Sequence, residues 1–235
     1  ILWFESNSTI YILEENMSQV SLVGVTAPYA GHNSAEDLIV YMARVSNPSN
    51  QELTRGDEKL IRYLIKNQHW SPFEMVNVVM EINTTRDIAR QILRHRSFSF
   101  QEFSQRYADP TKDLGFELRE ARLQDTKNRQ NSIETDDKEL QDKWNLMQQA
   151  LINNAEHAYH WAIQSGIAKE QARAVLPEGN TQSRMYMNGT LRSWIHYCQL
   201  RMANGTQKEH MEVAKECWDI IGEKFPNVVR ALEQE

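Results

Sequence analysis

Residues 76–96 read VNVVMEINTTRDIARQILRHR, and the spacing of their apolar side chains changes partway along. Apolar residues first stand at every second position, as in a half-buried strand: Val76, Val78, Met80 and Ile82. They then recur at helical spacing behind a threonine, Thr84 or Thr85, that can cap a helix: Ile88, Ala89, Ile92 and Leu93. The stretch therefore predicts a strand that leads directly into a helix, and with it a fold that mixes both.

The segments on either side extend this pattern. A β-prone run at 20–25 ends at a turn with Pro28 and Gly31, and helices are expected after Ser34 and after Asp57. Residues 97–110 have the composition of a loop, and 109–137 are irregular with a possible strand at 116–123. Further helices are predicted at 168–176, 189–203, 207–222 and 225–233. These elements predict an α+β fold, a helix-rich single domain with a modest β-sheet over residues 17–235, after a possible N-terminal extension at 1–16.

The longest predicted helix runs from a capping box at Asp136 and Glu139 to Gly166. One of its faces carries a stripe of apolar and small residues, which we expect to pack against the rest of the domain: Trp144, Met147, Leu151, Ala155, Ala158, Tyr159 and Ala162.

Composition narrows the class of protein. With 235 residues, 40% hydrophobic and 25% charged, the chain is expected to fold as one soluble domain. A net charge of -6 argues against a surface built to hold nucleic acid. Apolar runs such as 76–80 are too short to cross a membrane, and 1–16 lacks the features of a secretory signal. Cys198 and Cys217 are expected to be reduced core thiols, so we predict a cytoplasmic protein.

A concentrated positive patch lies between Arg86 and Tyr107, where five arginines and one histidine are offset only by Asp87 and Glu102. Arg86, Arg90 and Arg94 have the spacing to share one helix face. After them, hydroxyl and amide side chains alternate with phenylalanines from Phe98 to Phe103. Guanidinium groups pair with phosphate, amides read ring edges and aromatic rings stack on heterocycles, so this segment favours a nucleotide ligand.

The motif Arg94-His95-Arg96, followed after seven residues by Ser104, resembles the signature of flavin-dependent thymidylate synthases. Other blocks in the same order are similar to that family: His69-Trp70-Ser71-Pro72-Phe73-Glu74, Arg173-Ala174-Val175-Leu176-Pro177, the pair Arg192 and Arg201, and Gln207 with Glu209. The similar blocks run from about 69 to 210, which is most of the chain.

The resemblance implies roles for individual residues. Contacts to FAD are implied for Ser71, Glu74, Arg94, His95, Arg96, Glu102, Arg192 and His196. Contacts to the nucleotide are implied for Gln91, Glu102, Ser104, Arg106, Arg173 and Arg201. Catalytic positions are implied at Arg201, His69 and Ser104, and no metal site is expected. The chain departs from the family pattern at Met75, Thr190 and Gly205, which bears on individual FAD contacts.

The activity that the resemblance implies is the methylation of dUMP to dTMP. Methylenetetrahydrofolate would give the carbon, and FAD reduced by NADPH would give the hydride. No GxGxxG follows a strand, so the flavin would be held by the arginine-rich loop and by neighbouring subunits of a homotetramer with shared sites. No nucleic-acid or membrane partner is expected.

Other interpretations of the same residues are simpler but explain less. A non-catalytic RNA-binding or nucleotide-binding helical protein would also use the patch from Arg86 to Arg106. Ser104 lacks the Asp/His partners and the GxSxG context of a catalytic nucleophile, so we expect it to bind the ligand. Cys198 lies within a helical pattern, so we expect a core thiol and not a nucleophile. His157, His160 and His210 are expected to have structural or surface roles.

Overall fold

A computed structural model describes residues 19–29, 31–51 and 57–234, so the possible extension at 1–16 lies outside the described residues. The strands are β1 Val20–Val25, β2 Asn77–Thr85, β3 Ser99–Glu102, β4 Arg122–Gln124, β5 Ser132–Glu134 and β6 Gln182–Thr190. The helices are α1 Ala35–Ala43, α2 Asp57–Lys66, α3 Arg86–Ile92, α4 Pro110–Asp113, α5 Lys138–Gln164, α6 Lys169–Ala172, α7 Leu191–Arg201, α8 Lys208–Lys224 and α9 Pro226–Glu233. Short 3₁₀ turns cover Pro48–Asn50, Ser71–Glu74 and Arg173–Val175.

An antiparallel sheet of four strands in the order β1-β2-β6-β3 forms the centre of the fold. β2 and β6 pair along their whole length, from Asn77 opposite Thr190 to Thr85 opposite Gln182. β4 and β5 form a separate two-stranded hairpin. The predicted class, helix-rich α+β with a modest sheet, is confirmed.

The predicted succession of strand and helix at 76–96 is confirmed by β2 and α3. Val78, Met80 and Ile82 are fully buried in β2, as their alternation predicts. α3 ends at Ile92, however, and a turn from the His95 amide to the Ile92 carbonyl at 3.0 Å follows it. Arg94 therefore lies beyond the helix, and the prediction that it shares one helix face with Arg86 and Arg90 is wrong.

Besides β5, which lies in the segment predicted to be irregular, two strands of the main sheet have no counterpart in the predicted elements. β3 interrupts the loop predicted at 97–110, and β6 precedes the helix predicted at 189–203. That helix begins only at Leu191, since Gly189 and Thr190 still pair with β2. Both strands are specified by pairing with segments far away in sequence, which local spacing does not reveal.

The main core lies where α7 packs on the sheet. Trp194 is fully buried, and its Nε1 donates to the Val78 carbonyl at 3.0 Å. Phe98 is buried too, with its ring edge-on to Trp194 at a centroid distance of 4.9 Å. The expectation that Phe98 is available to stack on a ligand is therefore wrong, because its ring is part of this core.

The helix caps follow the sequence closely. α1 follows Ser34, as expected, and Ser34 and Asp37 form a reciprocal capping box at its start. α5 is capped by Asp137, one residue later than predicted, through a hydrogen bond from the Leu140 amide at 3.0 Å. Gly166, with a φ of 80°, follows the end of α5, as expected for a helix stop.

The apolar stripe on α5 packs against the domain over only part of its length. Tyr159 and Ala162 are buried in a small core with Phe116. Trp144, Met147 and Leu151 are 43%, 59% and 53% exposed, so the prediction that the whole stripe packs against the domain is wrong. Sequence spacing shows that residues share a face, but it does not show what covers that face.

Cys198 and Cys217 are both buried and unbonded to each other, as expected for core thiols. Within the described ranges, none of the helices has the combination of length and apolar character needed to pass through a bilayer.

Gly189 supports a close approach of Phe98 to β6, which gives a test of the core. A Cβ at position 189 would lie much closer to the Phe98 ring carbons than their van der Waals contact distance. Since the ring is held by Trp194, we expect Gly189→Ala to lower the free energy of unfolding by about 1–3 kcal/mol, measured by denaturant titration. Gly179→Ala, where the added Cβ meets open space, is the control and should change it by less than about 0.5 kcal/mol. Equal effects of the two substitutions would contradict this packing.

Candidate functional site

The end of α3 meets the end of α7 at a hydrogen bond between two residues predicted for the site. Arg201 Nε donates to His95 Nε2 at 2.9 Å. The His95 ring also lies edge-on to Tyr197, with a centroid distance of 4.9 Å. Burial, and then the charges of Arg201 and Arg94, lower the pKa of His95 to about 4. The imidazole is therefore neutral near pH 7, and its lone pair holds the Arg201 guanidinium in place.

Gln91 lies beside this pair and is held from α8. Its Nε2 donates to Gln207 Oε1 at 2.8 Å, and its Oε1 lies 3.4 Å from His210 Nδ1. His210 is fully buried, as expected for a structural histidine, but its contacts lead into the candidate site. The prediction that Gln91 and Arg201 share a site fits these positions, since His210 also contacts Tyr197, the neighbour of His95.

A second group surrounds the 3₁₀ turn Ser71–Glu74 and the outer side of α7. Glu74 forms an ion pair with Arg192. The His196 ring lies edge-on to Trp70, with a centroid distance of 4.9 Å. Burial and the charge of Arg192 lower the pKa of His196. Ser71 is exposed at the same turn, so four predicted residues lie around it. His69 precedes the turn, and its ring lies edge-on to Tyr63 of α2 with a centroid distance of 5.8 Å.

Glu102, for which the family resemblance implies contacts to both FAD and nucleotide, is held by arginines of α3. Its carboxylate lies 3.6 Å from Arg86 and 3.4 Å from Arg90, and it accepts a hydrogen bond from Ser183 at 2.9 Å. Glu178 completes the group, with 3.1 Å contacts to both Arg86 and Arg90. Arg86 and Arg90 of the positive patch are thus neutralised by carboxylates of the same chain.

Arg94 and Arg96 differ from those two arginines. Both are exposed, and no ion pair joins either of them to another residue in the described ranges. Two guanidinium groups at one loop, free of carboxylate partners, are suited to bind an anionic ligand.

The remaining predicted residues lie apart from the His95–Arg201 pair. Arg106 forms an exposed ion pair with Glu170 at 3.3 Å. The Ser104 carbonyl accepts hydrogen bonds from Tyr107 and Ala108, and Arg173 opens the 3₁₀ turn Arg173–Val175. Among the hydrogen bonds and ion pairs of the described chain, none joins Ser104, Arg106 or Arg173 to the His95–Arg201 pair.

Some residues near the site were not singled out from the sequence. Arg119 donates to Asp87 at 2.9 Å and lies 3.3 Å from Glu209, while Arg122 donates to Glu209 at 2.7 Å. With Lys208 they line a cavity of about 420 Å³. Because 109–135 matches no family motif, local sequence gave no signal for these arginines. No cluster of metal-ligating side chains occurs in the part of the chain that the structure describes.

The chain is similar to known proteins of one family. The model of the thymidylate synthase complementing protein family matches residues 29–227. A probable flavin-dependent thymidylate synthase of Paramecium bursaria Chlorella virus 1 is 46% identical over 213 residues, which cover 90% of this chain and 97% of the relative. A flavin-dependent thymidylate synthase of Synechocystis is 50% identical over 200 residues, 85% of this chain and 90% of the relative.

A solved structure shares the fold. The UMP/dUMP methylase PolB from Streptomyces cacaoi, bound with 5-Br dUMP, superposes with a TM-score of 0.74 at 26% identity. The superposition covers 92% of this chain and 94% of that one. The chain therefore belongs to the flavin-dependent thymidylate synthases, the methyltransferase enzymes of the thymidylate synthase complementing protein family.

Proposed function

We propose that this protein converts dUMP to dTMP, with methylenetetrahydrofolate as carbon donor and FAD reduced by NADPH as hydride donor. The observation that carries the proposal is the contact of His95 with Arg201 at 2.9 Å. It joins the Arg94-His95-Arg96 motif to the late arginine of the family pattern across more than 100 residues of sequence. The names of the relatives support the flavin and the thymidylate product.

The residues proposed to hold FAD fit an anionic dinucleotide. Exposed Arg94 and Arg96 offer N–H groups to its diphosphate, without first having to break an ion pair to the described chain. Glu74 and Arg192, held together, offer an acceptor and donors for the polar parts of the cofactor. Ser71, His95, Glu102 and His196 complete the proposed cofactor set.

For the nucleotide, the proposal combines charge with amide recognition. Arg106 and Arg173 carry guanidinium groups for the phosphate, and the Ser104 hydroxyl adds a donor. Gln91 and Arg201 are proposed to face the uracil, and Glu102 to accept from the nucleotide with its remaining lone pairs. The structural relative bound with 5-Br dUMP supports a pyrimidine nucleotide as the ligand.

The chemistry proposed for the protein is electrostatic. FAD in its reduced form supplies the hydride, and the folate supplies the one-carbon unit. Arg201, fixed by the neutral His95, stabilises negative charge that develops on the pyrimidine ring. His69 is proposed to lie near the flavin or the folate, and Ser104 to bind rather than attack, so no protein nucleophile is required.

Flavin content and turnover test this function. We expect purified protein to carry or take up FAD, visible by its absorbance, and to form dTMP from dUMP with methylenetetrahydrofolate and NADPH. Arg201→Ala and Arg106→Ala should each reduce kcat/KM at least ten-fold, since each removes charge-assisted contacts worth about 1.5–3 kcal/mol.

Arg230→Ala is the matched control, because Arg230 is an exposed arginine of α9 whose contacts are with Glu58 and Asn227. It should leave turnover unchanged. A colourless protein that ignores FAD would overturn the proposed function, and full activity of Arg201→Ala would overturn the role of that residue.

We also infer a homotetramer with shared sites, and α5 offers a surface for it. Leu140, Trp144, Met147 and Leu151 are spaced 4, 3 and 4 residues apart, and Trp161 continues the same heptad seam. All five are exposed in the single chain. Because α5 spans about 40 Å at 1.5 Å per residue, this seam presents a long apolar strip that a helix of a second copy can cover.

A charge placed on the seam should separate the subunits. We expect the wild-type protein to sediment as four chains of 27.5 kDa, and Trp144→Glu with Leu151→Glu to shift it to smaller species. Leu146→Glu changes a 71% exposed leucine of the same helix that lies off the seam, and it should not alter the mass. Dissociation by the control alone would place the contact on another face.

The state of His95 gives a prediction for pH. An NMR titration of its ring should show a midpoint near pH 4, and Arg201→Gln should raise the pKa while leaving it below 6.5, because burial is the larger cause. Between pH 6.5 and about 4 the unfolded chain binds more protons, so lowering the pH through this window should lower the free energy of unfolding. Arg230→Gln should leave the midpoint where it is. A His95 midpoint near 6.5 in the folded wild-type protein would contradict the buried pair.

A further inference from the structure

A chain of hydrogen bonds runs behind the candidate site, and one of its ends is fixed by charge. That end is Glu209, whose carboxylate accepts from Arg122 at 2.7 Å and lies 3.3 Å from Arg119. Burial alone would raise the pKa of Glu209, but the two guanidinium groups outweigh it and the pKa is lowered. Glu209 is therefore ionised near pH 7, and an ionised carboxylate can only accept hydrogen bonds.

Because Glu209 can only accept, it fixes the orientation of the Gln207 amide, and Gln207 in turn fixes that of Gln91. Gln207 must turn its Nε2 toward Glu209, and it donates to Oε2 at 2.9 Å. Its Oε1 is then left to accept, and Gln91 Nε2 donates to it at 2.8 Å. Gln91 in turn must present its Oε1 on the far side, where His210 Nδ1 lies 3.4 Å away.

The orientation of Gln91 also determines where His210 and Tyr197 carry their hydrogens. Because Gln91 Oε1 only accepts, the hydrogen of His210 must be on Nδ1. Nε2 then carries the lone pair, and the Tyr197 hydroxyl, 3.1 Å away, donates to it. His210 is completely buried, and burial lowers its pKa to about 3, so the ring is neutral and holds a single tautomer.

The geometry points to His210, Gln207 and Glu209 as positioning residues that lock the amide of Gln91 in one orientation, so that it distinguishes uracil from cytosine. The inference rests on the proposed function, because it takes Gln91 to face the base. The locked amide keeps one N–H and one oxygen lone pair for a ligand.

The fixed orientation matters because a glutamine amide that rotates freely can hydrogen-bond to either uracil or cytosine. Uracil presents N3–H next to a carbonyl oxygen, whereas cytosine presents a bare N3 next to an amino group, which is the reverse pattern. An amide that turns by half a rotation matches each in turn. An amide whose orientation is fixed by hydrogen bonds to His210 and Gln207 can pair with only one of the two bases. Against the other base its polar groups stay unpaired, and unpaired polar groups produce strong discrimination.

The tautomer of His210 tests the lock without any ligand. In protein labelled with 15N-histidine, solid-state 15N spectra should show His210 with a protonated Nδ1 and a bare Nε2. Tyr197→Phe, which removes the hydroxyl 3.1 Å from Nε2, should shift the Nε2 signal and so assign it, while leaving the proton on Nδ1. A proton on Nε2 in the wild-type protein would overturn the lock, whatever the enzyme's activity.

Binding of two nucleotides tests the consequence. In FAD-loaded protein, Glu209→Gln removes the fixed acceptor, and we expect the ratio of the dCMP Kd to the dUMP Kd to fall about ten-fold, the scale of one lost hydrogen bond near 1.4 kcal/mol. Glu212→Gln is the control, because Glu212 lies one turn after Glu209 on α8 and lines the same cavity as Glu209. It should leave the ratio of the two Kd values unchanged.

If Glu209→Gln keeps the wild-type ratio, the role of the lock in specificity is refuted. Should it fail to fold, Gln207→Met breaks the chain at the next link while retaining the carboxylate, and it is judged by the same ratio. A wild-type protein that binds neither FAD nor dUMP would instead refute the proposed function, and the His210 spectrum would still report on the lock.

Discussion

The antiparallel pairing of β2 with β6 determines where the site forms. Each strand leads directly into a helix, β2 into α3 and β6 into α7. Because the strands run in opposite directions, the two helices begin at opposite ends of the pair. Nine residues of strand span about 30 Å, and 7 plus 11 residues of helix span about 27 Å. Helices that run back over the strands therefore bring their C-terminal ends close together. The hydrogen bond from Arg201 to His95 is that meeting point.

Meeting at helix C-termini suits the charges found there. The C-terminal end of a helix carries partial negative charge, which favours nearby cations. Arg94 and Arg96 follow the end of α3, and Arg201 is the last residue of α7. Ion pairs with carboxylates from other segments then determine which arginines remain available to bind a ligand. Glu102 and Glu178 neutralise Arg86 and Arg90, whereas Arg94 and Arg96 are left exposed at the loop.

The sequence predicts what depends on local spacing and misses what depends on distant partners. The alternation of β2, the cap at Ser34 and the identity of the motif around His95 are local, and each was predicted. Among the nine residues of β6 only Tyr186 and Thr190 are of types that favour strands, whereas Asn188 and Gly189 disfavour them. The segment is a strand because β2 and β3 lie on both sides of it. The roles of Arg119 and Arg122 depend on Glu209, almost ninety residues away, so no local pattern indicates them.

Three residues proposed to bind the nucleotide lie apart from the His95–Arg201 pair in the single chain. Ser104, Arg106 and Arg173 belong to the proposed nucleotide set, but within one chain Arg106 is paired with Glu170 and none of the three contacts the His95–Arg201 pair. A surface ion pair such as Arg106–Glu170 contributes little stability, so a phosphate can replace the carboxylate at small cost. The seam of α5 is exposed in the single chain, and it is the surface that we propose a second copy covers. A tetramer in which the arginines of one protomer face the His95–Arg201 pair of its neighbour would bury the seam and complete the site through the same association.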